Sequence, residues 1–324
     1  MPKLLPITAI PLPIPWPPGP VLVYLVRQDP VTLIDTGLHD QPSWEALADG
    51  LRTLGLTVKD IRRILITHAH LDHYGQAARL QAESGAEVFM HPDEAGKVDS
   101  PDWWLEGRQL ALDDAGAPAE LQHQMNRFWE RGRGLTLPLT DWRPLRDGDR
   151  IAFDGGELEA VHLPGHALGH TGFWERKSGI LIGGDHLLDG VTPNPILEPL
   201  PPGRDSGTRH APGRALTLGQ FLSSLERAIA MPLSQVYPGH GPVITDHGAL
   251  ARSYIAKHQR RLDTLWQRIA GGATAYALTR EFYPRVREFD IFLALSEVLA
   301  HLDLLAVQGR ATVEAGDSVL FRAV

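Results

Sequence analysis

A run of metal-binding side chains lies at residues 64–75, in the segment Ile-Leu-Ile-Thr-His-Ala-His-Leu-Asp-His-Tyr-Gly. His68, His70, Asp72 and His73 fall within six residues, directly after an apolar stretch. Imidazole nitrogens and carboxylate oxygens are the usual zinc ligands, at about 2.0 to 2.2 Å from the ion. The segment therefore predicts a metal site. Because the chain has no cysteine, a closed cysteine-rich structural zinc site is excluded.

Three glycine-flanked turns further along the chain offer matching side chains. His166, Asp185 and His240 follow an apolar stretch in the segments Pro-Gly-His, Gly-Gly-Asp and Pro-Gly-His. Together with the first segment they supply seven ligands, which is enough for two metal ions.

The elements that must hold these side chains are strands and their ends. Residues 64–67 are apolar or β-branched and predict a buried strand. If the chain stays extended beyond this strand, its period of two places His68, His70 and Asp72 on one side, and His73 begins a helix that runs towards Glu83. The end of a strand is a rigid place to hold metal ligands.

The order of these motifs resembles the metallo-β-lactamase superfamily, over roughly residues 5–247. The resemblance implies a four-layered αββα sandwich, and the alternation of predicted strands and helices independently favours an α/β fold. It also implies two metal subsites that share one bridging carboxylate. The first subsite would contain His68, His70 and His166, the second Asp72, His73 and His240, and the bridge would be Asp185.

Two further roles follow from the same resemblance. Asp35, in the segment Leu-Ile-Asp-Thr-Gly, matches an aspartate that supports the ligating imidazoles from behind and does not bind the metal. Asp72 and Asp185 are expected to be catalytic, because they would hold a metal-bridging water whose pKa falls towards ~7, giving a hydroxide nucleophile. Two zinc ions are expected, with iron or manganese as alternatives for the same nitrogen and oxygen ligands.

The motifs also exclude branches of the superfamily. Without cysteine, the chain lacks a ligand of the commonest true β-lactamases, in which a bridging aspartate such as Asp185 is also not expected. His70 stands where flavodiiron proteins carry glutamate, which disfavours redox di-iron chemistry. The hydrolytic binuclear branch remains, with its glyoxalase II-like thioesterases, lactonases, phosphodiesterases and metal-dependent ribonucleases.

Composition narrows the expected partners and location. The net charge of −8 disfavours nucleic acid as the default partner and favours a small-molecule substrate. No apolar run approaches the ~20 residues that span a bilayer, and the first residues lack the apolar region of a signal peptide. A cytoplasmic protein that does not enter a membrane is therefore expected.

The substrate pocket is less well marked. Trp16, in the proline-rich segment 11–20, either packs for stability or lines the mouth of the site. Residues 95–142 are helical and aromatic and include Trp103 and Trp104, so they form either an extra helical pair on the sandwich or a cap over an apolar acyl group. Arg204, like Arg209 and Arg214 in the proline- and glycine-rich loop 187–214, lies on solvated surface or binds a substrate anion.

From the resemblance we expect a metallo-β-lactamase-fold domain at 1–248 and a smaller winged-helix-like region at 249–324. Three predicted helices and a hairpin in the second region resemble a winged helix and the C-terminal part of the β-lactamase-like protein 2 family. Its ten Lys and Arg against eight Asp and Glu make it mildly basic, but residues 289–309 contain no Lys or Arg. Reading of duplex nucleic acid by this third helix is therefore disfavoured.

Two function hypotheses follow. The first is hydrolysis of a small thioester, ester or lactone, as in glyoxalase II or the lactonases, with the C-terminal region as a packing or homodimerisation module. The alternative is a metal-dependent endoribonuclease of the β-lactamase-like protein 2 type, in which Lys257, Arg260 and Arg261 contact single-stranded RNA.

Overall fold

The computed structural model describes residues 4–99, 101–201, 203–206, 211, 213–286 and 289–324. The side chains of Pro101, Trp103, Arg133 and Phe289 lie outside this description. The predicted pocket residue Trp103 and the candidate anion ligand Arg209 are therefore outside the described residues and side chains.

Six strands among the described residues form the first sheet, in chain order across the sheet. They are β1 Ile7–Leu12, β2 Val21–Val26, β3 Thr32–Ile34, β4 Arg63–Leu65, β5 Glu87–Met90 and β6 Arg143–Pro144. The pairs from β1 to β3 are antiparallel, and those from β3 to β6 are parallel. Parallel neighbours need crossovers, which are supplied between β3 and β5 by α1 Gln41–Thr53, α2 Leu71–Tyr74 and α3 Ala77–Ser84.

A second sheet faces the first and is mostly antiparallel. It contains β7 Arg150–Phe153, β8 Gly156–His162, β9 Thr171–Glu175, β10 Ile180–Gly184 and β11 Gln235–Pro238. The last two strands are parallel, and the chain crosses between them through a long loop and α7 Thr217–Ala230. The ligand motifs therefore fall where strands of both sheets end.

Three hydrophobic cores define the layers. Val26, Phe173 and Ile182 lie between the two sheets, while Leu47 of α1 packs on the outer face of the first sheet and Phe221 of α7 on the outer face of the second. Each fully buried side chain of this size contributes about 1.5 to 3 kcal/mol. The predicted four-layered αββα sandwich is confirmed.

The predicted aromatic insertion forms α4 Ala95–Asp99, α5 Pro101–Asp114 and α6 Ala119–Gly132. The C-terminal region contains α8 His247–Arg268, α9 Ala275–Phe282, α10 Phe289–Val307 and the hairpin β12 Ala311–Glu314 with β13 Leu320–Ala323. Leu112 and Trp129 of the insertion share one hydrophobic core with Leu262, Phe292 and Phe321. The insertion thus packs against the C-terminal helices, and the winged-helix likeness stays a prediction.

Helix α8 belongs to two cores at once. Ala251 and Tyr254, near its beginning, pack with α7 against the second sheet, whereas Leu262 and Leu265 pack with the insertion. The predicted division at residue 248 therefore falls one residue inside a continuous helix, and it stays a prediction. Within the described part of the chain, no helix is long and apolar enough to cross a membrane.

The backbone departs from the predicted extended run at the first motif. Strand β4 ends at Leu65, and α2 already begins at Leu71, with His70 as an extended residue at its N-terminus. Asp72 consequently lies in the first turn of a helix, where the helix dipole favours a carboxylate. The expected period of two does not extend to Asp72.

Candidate metal centre

Three imidazole nitrogens meet where β4 and β8 end. His68 Nε2 lies 2.8 Å from His70 Nδ1, which lies 3.1 Å from His166 Nε2. Four tetrahedral ligands at 2.0 to 2.1 Å from an ion are about 3.3 Å apart, so the spacing is close to that of one metal subsite. Burial and the neighbouring imidazoles hold the pKa values of His68 and His70 well below the usual range, which keeps both rings neutral and able to bind an ion.

A second group lies beside the first. His240, after β11, places its Nε2 3.3 Å from Asp72 Oδ2, and His73 Nε2 lies 4.0 Å from Asp72 Oδ1. One carboxylate and two imidazoles with their ligand atoms within 4.8 Å of one another are a suitable set for a second ion.

Asp185, at the end of β10, contacts both groups. Its Oδ2 lies 3.7 Å from His166 Nε2 of the first group and 3.7 Å from His240 Nε2 of the second, and its Oδ1 lies 3.5 Å from His73 Nε2. Burial alone would raise the pKa of Asp185, but the surrounding imidazoles of His73 and His240 outweigh it and hold that pKa well below the usual range. The carboxylate is therefore ionised at the position that a bridging ligand needs.

The buried polar atoms of the site test whether it fits metal ions. His73 Nε2 and Asp185 Oδ1 are buried and lie 3.5 Å apart, and neither atom makes a hydrogen bond of normal length to any other described residue. Leaving such atoms unpaired is unfavourable by about 1 to 3 kcal/mol each, and more for a charged group. Because both atoms face the centre of the cluster and are typical metal ligands, the residues fit a binuclear site.

Asp35 supports both subsites from behind. It lies directly after β3 with a φ of 60°, a left-handed conformation that aspartate tolerates. Its carboxylate accepts hydrogen bonds from Thr67 N at 2.8 Å, Thr67 Oγ1 at 2.7 Å and His73 Nδ1 at 2.8 Å. Thr67 Oγ1 in turn lies 3.0 Å from His68 Nδ1. The Nδ1 atoms of His68 and His73 are therefore hydrogen-bonded, which leaves the Nε2 atom of each ring to bind the ion.

His166 and His240 are held by backbone carbonyls. His166 Nδ1 donates to the carbonyl oxygen of Asn194 at 2.9 Å, and His240 Nδ1 lies 3.1 Å from the carbonyl oxygens of Gly19 and Pro20. The side chain of Asn194 donates at 2.8 Å to the carbonyl oxygen of Leu293 in α10. Both the proline-rich segment and the C-terminal region thus reach the ligands.

Two residues next to the proposed ligands, His170 and Gly239, help to position Asp185. The backbone N–H of Asp185 donates to His170 Nε2 at 3.1 Å, and burial and neighbouring imidazoles lower the pKa of His170 well below its usual range, so its ring stays neutral and accepts the bond. At Gly239, a Cβ atom would lie 2.2 Å from Asp185 Oδ1. Only glycine therefore lets the chain approach the bridging carboxylate at this turn.

The predicted pocket residues have varied surroundings. Trp16 is 37% exposed, and Trp104 Nε1 donates to Glu198 Oε2 at 3.0 Å. Arg204 lies 2.8 Å from the Asp93 carboxylate. Arg214 is buried, and its guanidinium donates to Asp303 through two bonds of 2.9 Å, so this candidate for an anion site is a structural ion pair.

In the part of the chain that the structure describes, two more groups place ligand-type atoms within 4.8 Å of one another: His91 with Asp93 and His162, and His258 with Glu297 and His301. In each group an arginine lies beside the carboxylate, Arg204 at 2.8 Å from Asp93 and Arg261 at 3.9 Å from Glu297. A neighbouring positive charge opposes binding of a cation. We therefore interpret the first group as a stacked pair of His91 and His162 rings and the second as a hydrogen-bonded pair of His258 and His301.

Sequence reasoning missed a buried charge network beside the first subsite, formed by Glu94, Lys97 and Glu198. Glu94 accepts hydrogen bonds from the backbone N–H groups of Ala69 and Gly169, which lie in the two loops that carry His68, His70 and His166. None of the three residues stands in a ligand-like spacing, so the sequence carries no signal that would have singled them out.

Comparisons with known proteins agree with this geometry. The sequence profile described as "Metallo-beta-lactamase superfamily" matches residues 16–240. The chain is 30% identical over 321 residues to the probable metallo-hydrolase YqjP of Bacillus subtilis (strain 168), covering 98% of this chain and 97% of that protein. A crystal structure of a metallo-β-lactamase family protein from Thermus thermophilus superposes with a TM-score of 0.83 at 31% identity, covering 98% of each chain.

A shorter match involves a protein with a named reaction. The hydroxyacylglutathione hydrolase GloC of Haemophilus influenzae is 30% identical over 146 residues, which is 45% of this chain and 58% of that protein.

Proposed function

The chain belongs to the metallo-β-lactamase superfamily and is a metal-dependent hydrolase, and we propose that it cleaves a small thioester, ester or lactone with two zinc ions. The observation that carries this proposal is the position of the Asp185 carboxylate, which lies 3.7 Å from a histidine of each group. Zinc suits the nitrogen and oxygen ligands, and iron or manganese would fit the same set.

The proposal keeps the division of ligands that the family resemblance implies. His68, His70 and His166 would hold one ion, Asp72, His73 and His240 the other, and Asp185 both. When bound, the ions supply an activated water and polarise the carbonyl oxygen of the substrate. Asp72 and Asp185 provide negative charge opposite the ions, while Asp35 and Thr67 fix the ligand rings in one orientation. The protein needs no nucleophilic side chain of its own.

Charge favours a small acyl substrate over RNA. The net charge is −8, and α10 contains no Lys or Arg. On α8, Lys257 donates to Thr192 Oγ1 at 2.9 Å and Arg261 donates to the Tyr283 hydroxyl, so two of the three cations that were candidates for RNA contacts already have partners. The likeness of part of the chain to a hydroxyacylglutathione hydrolase supports thioester chemistry. A cytoplasmic location and a homodimer stay predictions.

Turnover on matched substrate panels tests the proposal. Metal-loaded protein is given thioesters, esters, lactones and single-stranded RNA, with Asp185→Asn as the variant and Asp49→Asn, an exposed substitution on α1, as the matched control. We expect acyl hydrolysis that survives Asp49→Asn and is lost in Asp185→Asn. RNA cleavage with the same dependence on Asp185, and no acyl hydrolysis, would overturn the proposal in favour of the endoribonuclease. Elemental analysis of the purified protein identifies the metal.

A further inference from the structure

A single buried carboxylate joins the two loops that carry the first metal subsite. Glu94 Oε2 accepts a hydrogen bond from Ala69 N at 2.7 Å, and Glu94 Oε1 accepts one from Gly169 N at 2.6 Å. Ala69 lies between His68 and His70, and Gly169 lies three residues after His166. A Cβ at Gly169 would lie 2.7 Å from Glu94 Cγ, so the loop approaches as closely as glycine permits.

The charge of Glu94 is balanced by a buried lysine. Lys97 Nζ in α4 lies 2.9 Å from Glu94 Oε2 and 2.9 Å from Glu198 Oε1. Burial alone would raise the pKa of Glu94 and lower that of Lys97, but their attraction, with Glu198 and the backbone bonds, reverses both shifts. Both groups are therefore charged in the folded protein, and removing either one leaves a buried charge without its partner.

The network continues from Glu198 to the aromatic insertion. Glu198 Oε2 accepts a hydrogen bond from Trp104 Nε1 in α5 at 3.0 Å. The Arg108 guanidinium, one turn further along α5, stacks 3.6 Å above the Trp104 ring and lies 3.9 Å from Glu198 Oε1. It also lies 4.7 Å from the centre of the Phe292 ring in α10. Two glutamates, one lysine and one arginine thus form a buried set with balanced charge.

We propose that Glu94, Lys97 and Glu198 are positioning residues that fix the first metal subsite to helix α5, so that α5 and its tryptophan set the metal affinity of His68, His70 and His166. The proposal rests on the metal site proposed above. None of the three residues belongs to the ligand set. They act through the backbone of the ligand loops, because the bonds of Glu94 end on Ala69 and Gly169.

The geometry gives this role a physical basis. The three nitrogens of the first subsite lie 2.8 and 3.1 Å apart, and they belong to two loops that are far apart in the sequence. A small displacement of either loop separates His166 from the His68 and His70 pair. Groups that orient metal ligands without touching the ion typically change metal affinity by about 10- to 100-fold when they are removed.

Cobalt binding tests the proposal without substrate. Metal-free protein is titrated with Co²⁺ in competition with a chelator, and the visible spectrum reports the geometry of each bound equivalent. The variants are Glu94→Gln, Lys97→Met and Trp104→Phe, and the last removes the hydrogen bond to Glu198 but keeps an aromatic ring beside Arg108. Glu83→Gln and Lys59→Met, both at exposed positions, are the matched controls.

We expect Glu94→Gln and Lys97→Met to weaken one of the two cobalt equivalents by about 10- to 100-fold and to change its spectrum, and Trp104→Phe to give a loss at the lower end of that range. The controls should bind as the wild type does. The proposal would be overturned if both cobalt equivalents bound with wild-type affinity in Trp104→Phe and also in Glu94→Gln or Lys97→Met, whichever of these two folds. Failure of the acyl panel would refute the proposed substrate class but would not alter this result.

Discussion

His166 Nδ1 lies 2.9 Å from the carbonyl oxygen of Asn194, and this bond connects the metal centre to the C-terminal region. The Asn194 side chain donates to the carbonyl oxygen of Leu293, in α10, at 2.8 Å. Helix α10 therefore holds Asn194, and the carbonyl oxygen of Asn194 orients the proposed metal ligand His166. The C-terminal region thus contacts the proposed metal site through Asn194.

Replacement of Asn194 tests this connection. Asn194→Ala removes the side-chain hydrogen bond to α10 but leaves the Asn194 carbonyl oxygen to which His166 is bonded. The backbone of residue 194 is then held less firmly, and so is the His166 ring. We expect the affinity of one metal equivalent to fall by about tenfold, at the lower end of the range for such outer groups. Asn126→Ala, at an exposed position on α6, is the control. Unchanged metal affinity in Asn194→Ala would show that α10 does not position His166.

A second prediction concerns Asp35. Asp35→Asn keeps the shape of the side chain and tolerates the left-handed backbone, but it removes the negative charge that receives three hydrogen bonds from Thr67 and His73. We expect turnover and metal affinity to fall by about 10- to 100-fold, because His73 is no longer held in the tautomer that binds the ion. Isothermal titration of the metal-free protein measures the affinity.

The substitution Asp40→Asn is not a suitable control for Asp35→Asn, because Asp40 caps α1 through a 2.8 Å bond to Ser43 N. Asp154→Asn, at an exposed position between β7 and β8, is preferable. If Asp35→Asn matched the Asp154→Asn protein in both metal affinity and turnover, the supporting role of Asp35 would be excluded.

Local motifs explain how much of this site could be predicted from the sequence. Each ligand stands in a short motif beside a strand end, so the seven residues were recognisable one motif at a time, and the structure brings them together. The family resemblance that these motifs carry implies the four-layered sandwich, whereas the alternation of strands and helices by itself predicts only an α/β fold. The spacing of the motif predicts an extended segment that includes Asp72, whereas in the structure a helix begins at Leu71.

Contacts between distant residues could not be predicted in this way. Glu94 and Gly169 are 75 positions apart, and Lys97 reaches Glu198 across a still longer stretch, with no spacing that distinguishes these charges from solvated ones. Arg214 stands in a loop rich in proline and glycine and resembles a surface cation, yet it is buried against Asp303. Only the tertiary packing of α5, α10 and the ligand loops determines these pairs.

Metal removal gives a third prediction, on the number of ions. We expect two metal equivalents to bind per chain, and their removal with a chelator to lower the melting temperature. A ligand that binds only the folded state stabilises that state, by about 4 kcal/mol when its concentration is 1,000 times its Kd. Elemental analysis after dialysis measures the stoichiometry. His301→Gln should keep two equivalents, since the His258 group is interpreted as a hydrogen-bonded pair; a loss of one ion in this variant would show that the group binds metal.

The buried histidines of the C-terminal region predict a pH dependence of stability. Burial and the positive charges of nearby Arg261 and Lys257 lower the pKa of His301 to about 4, from an unfolded value of about 6.5. Between these values the unfolded chain binds a proton that the folded protein does not, so stability falls as the pH falls from about 6.5 to about 4 and is unaffected above this window. The shift corresponds to a loss on the order of 3 kcal/mol.

His301→Gln removes this titration, so the free energy of unfolding should depend less steeply on pH between about 6.5 and 4. Urea unfolding of the metal-free protein at several pH values measures the slope, because acid release of metal then makes no contribution. His123→Gln, at an exposed position on α6, should keep the slope of the wild type. Since His258 Nδ1 lies 3.1 Å from His301 Nε2 and burial lowers the pKa of His258 to about 3, a further part of the slope should be lost when His258 is also replaced by Gln. The buried histidines of the proposed metal centre, whose pKa values are also lowered, should keep the remainder. Equal slopes in all of these proteins would mean that the pKa values of the two rings are not lowered by folding, which would contradict the prediction.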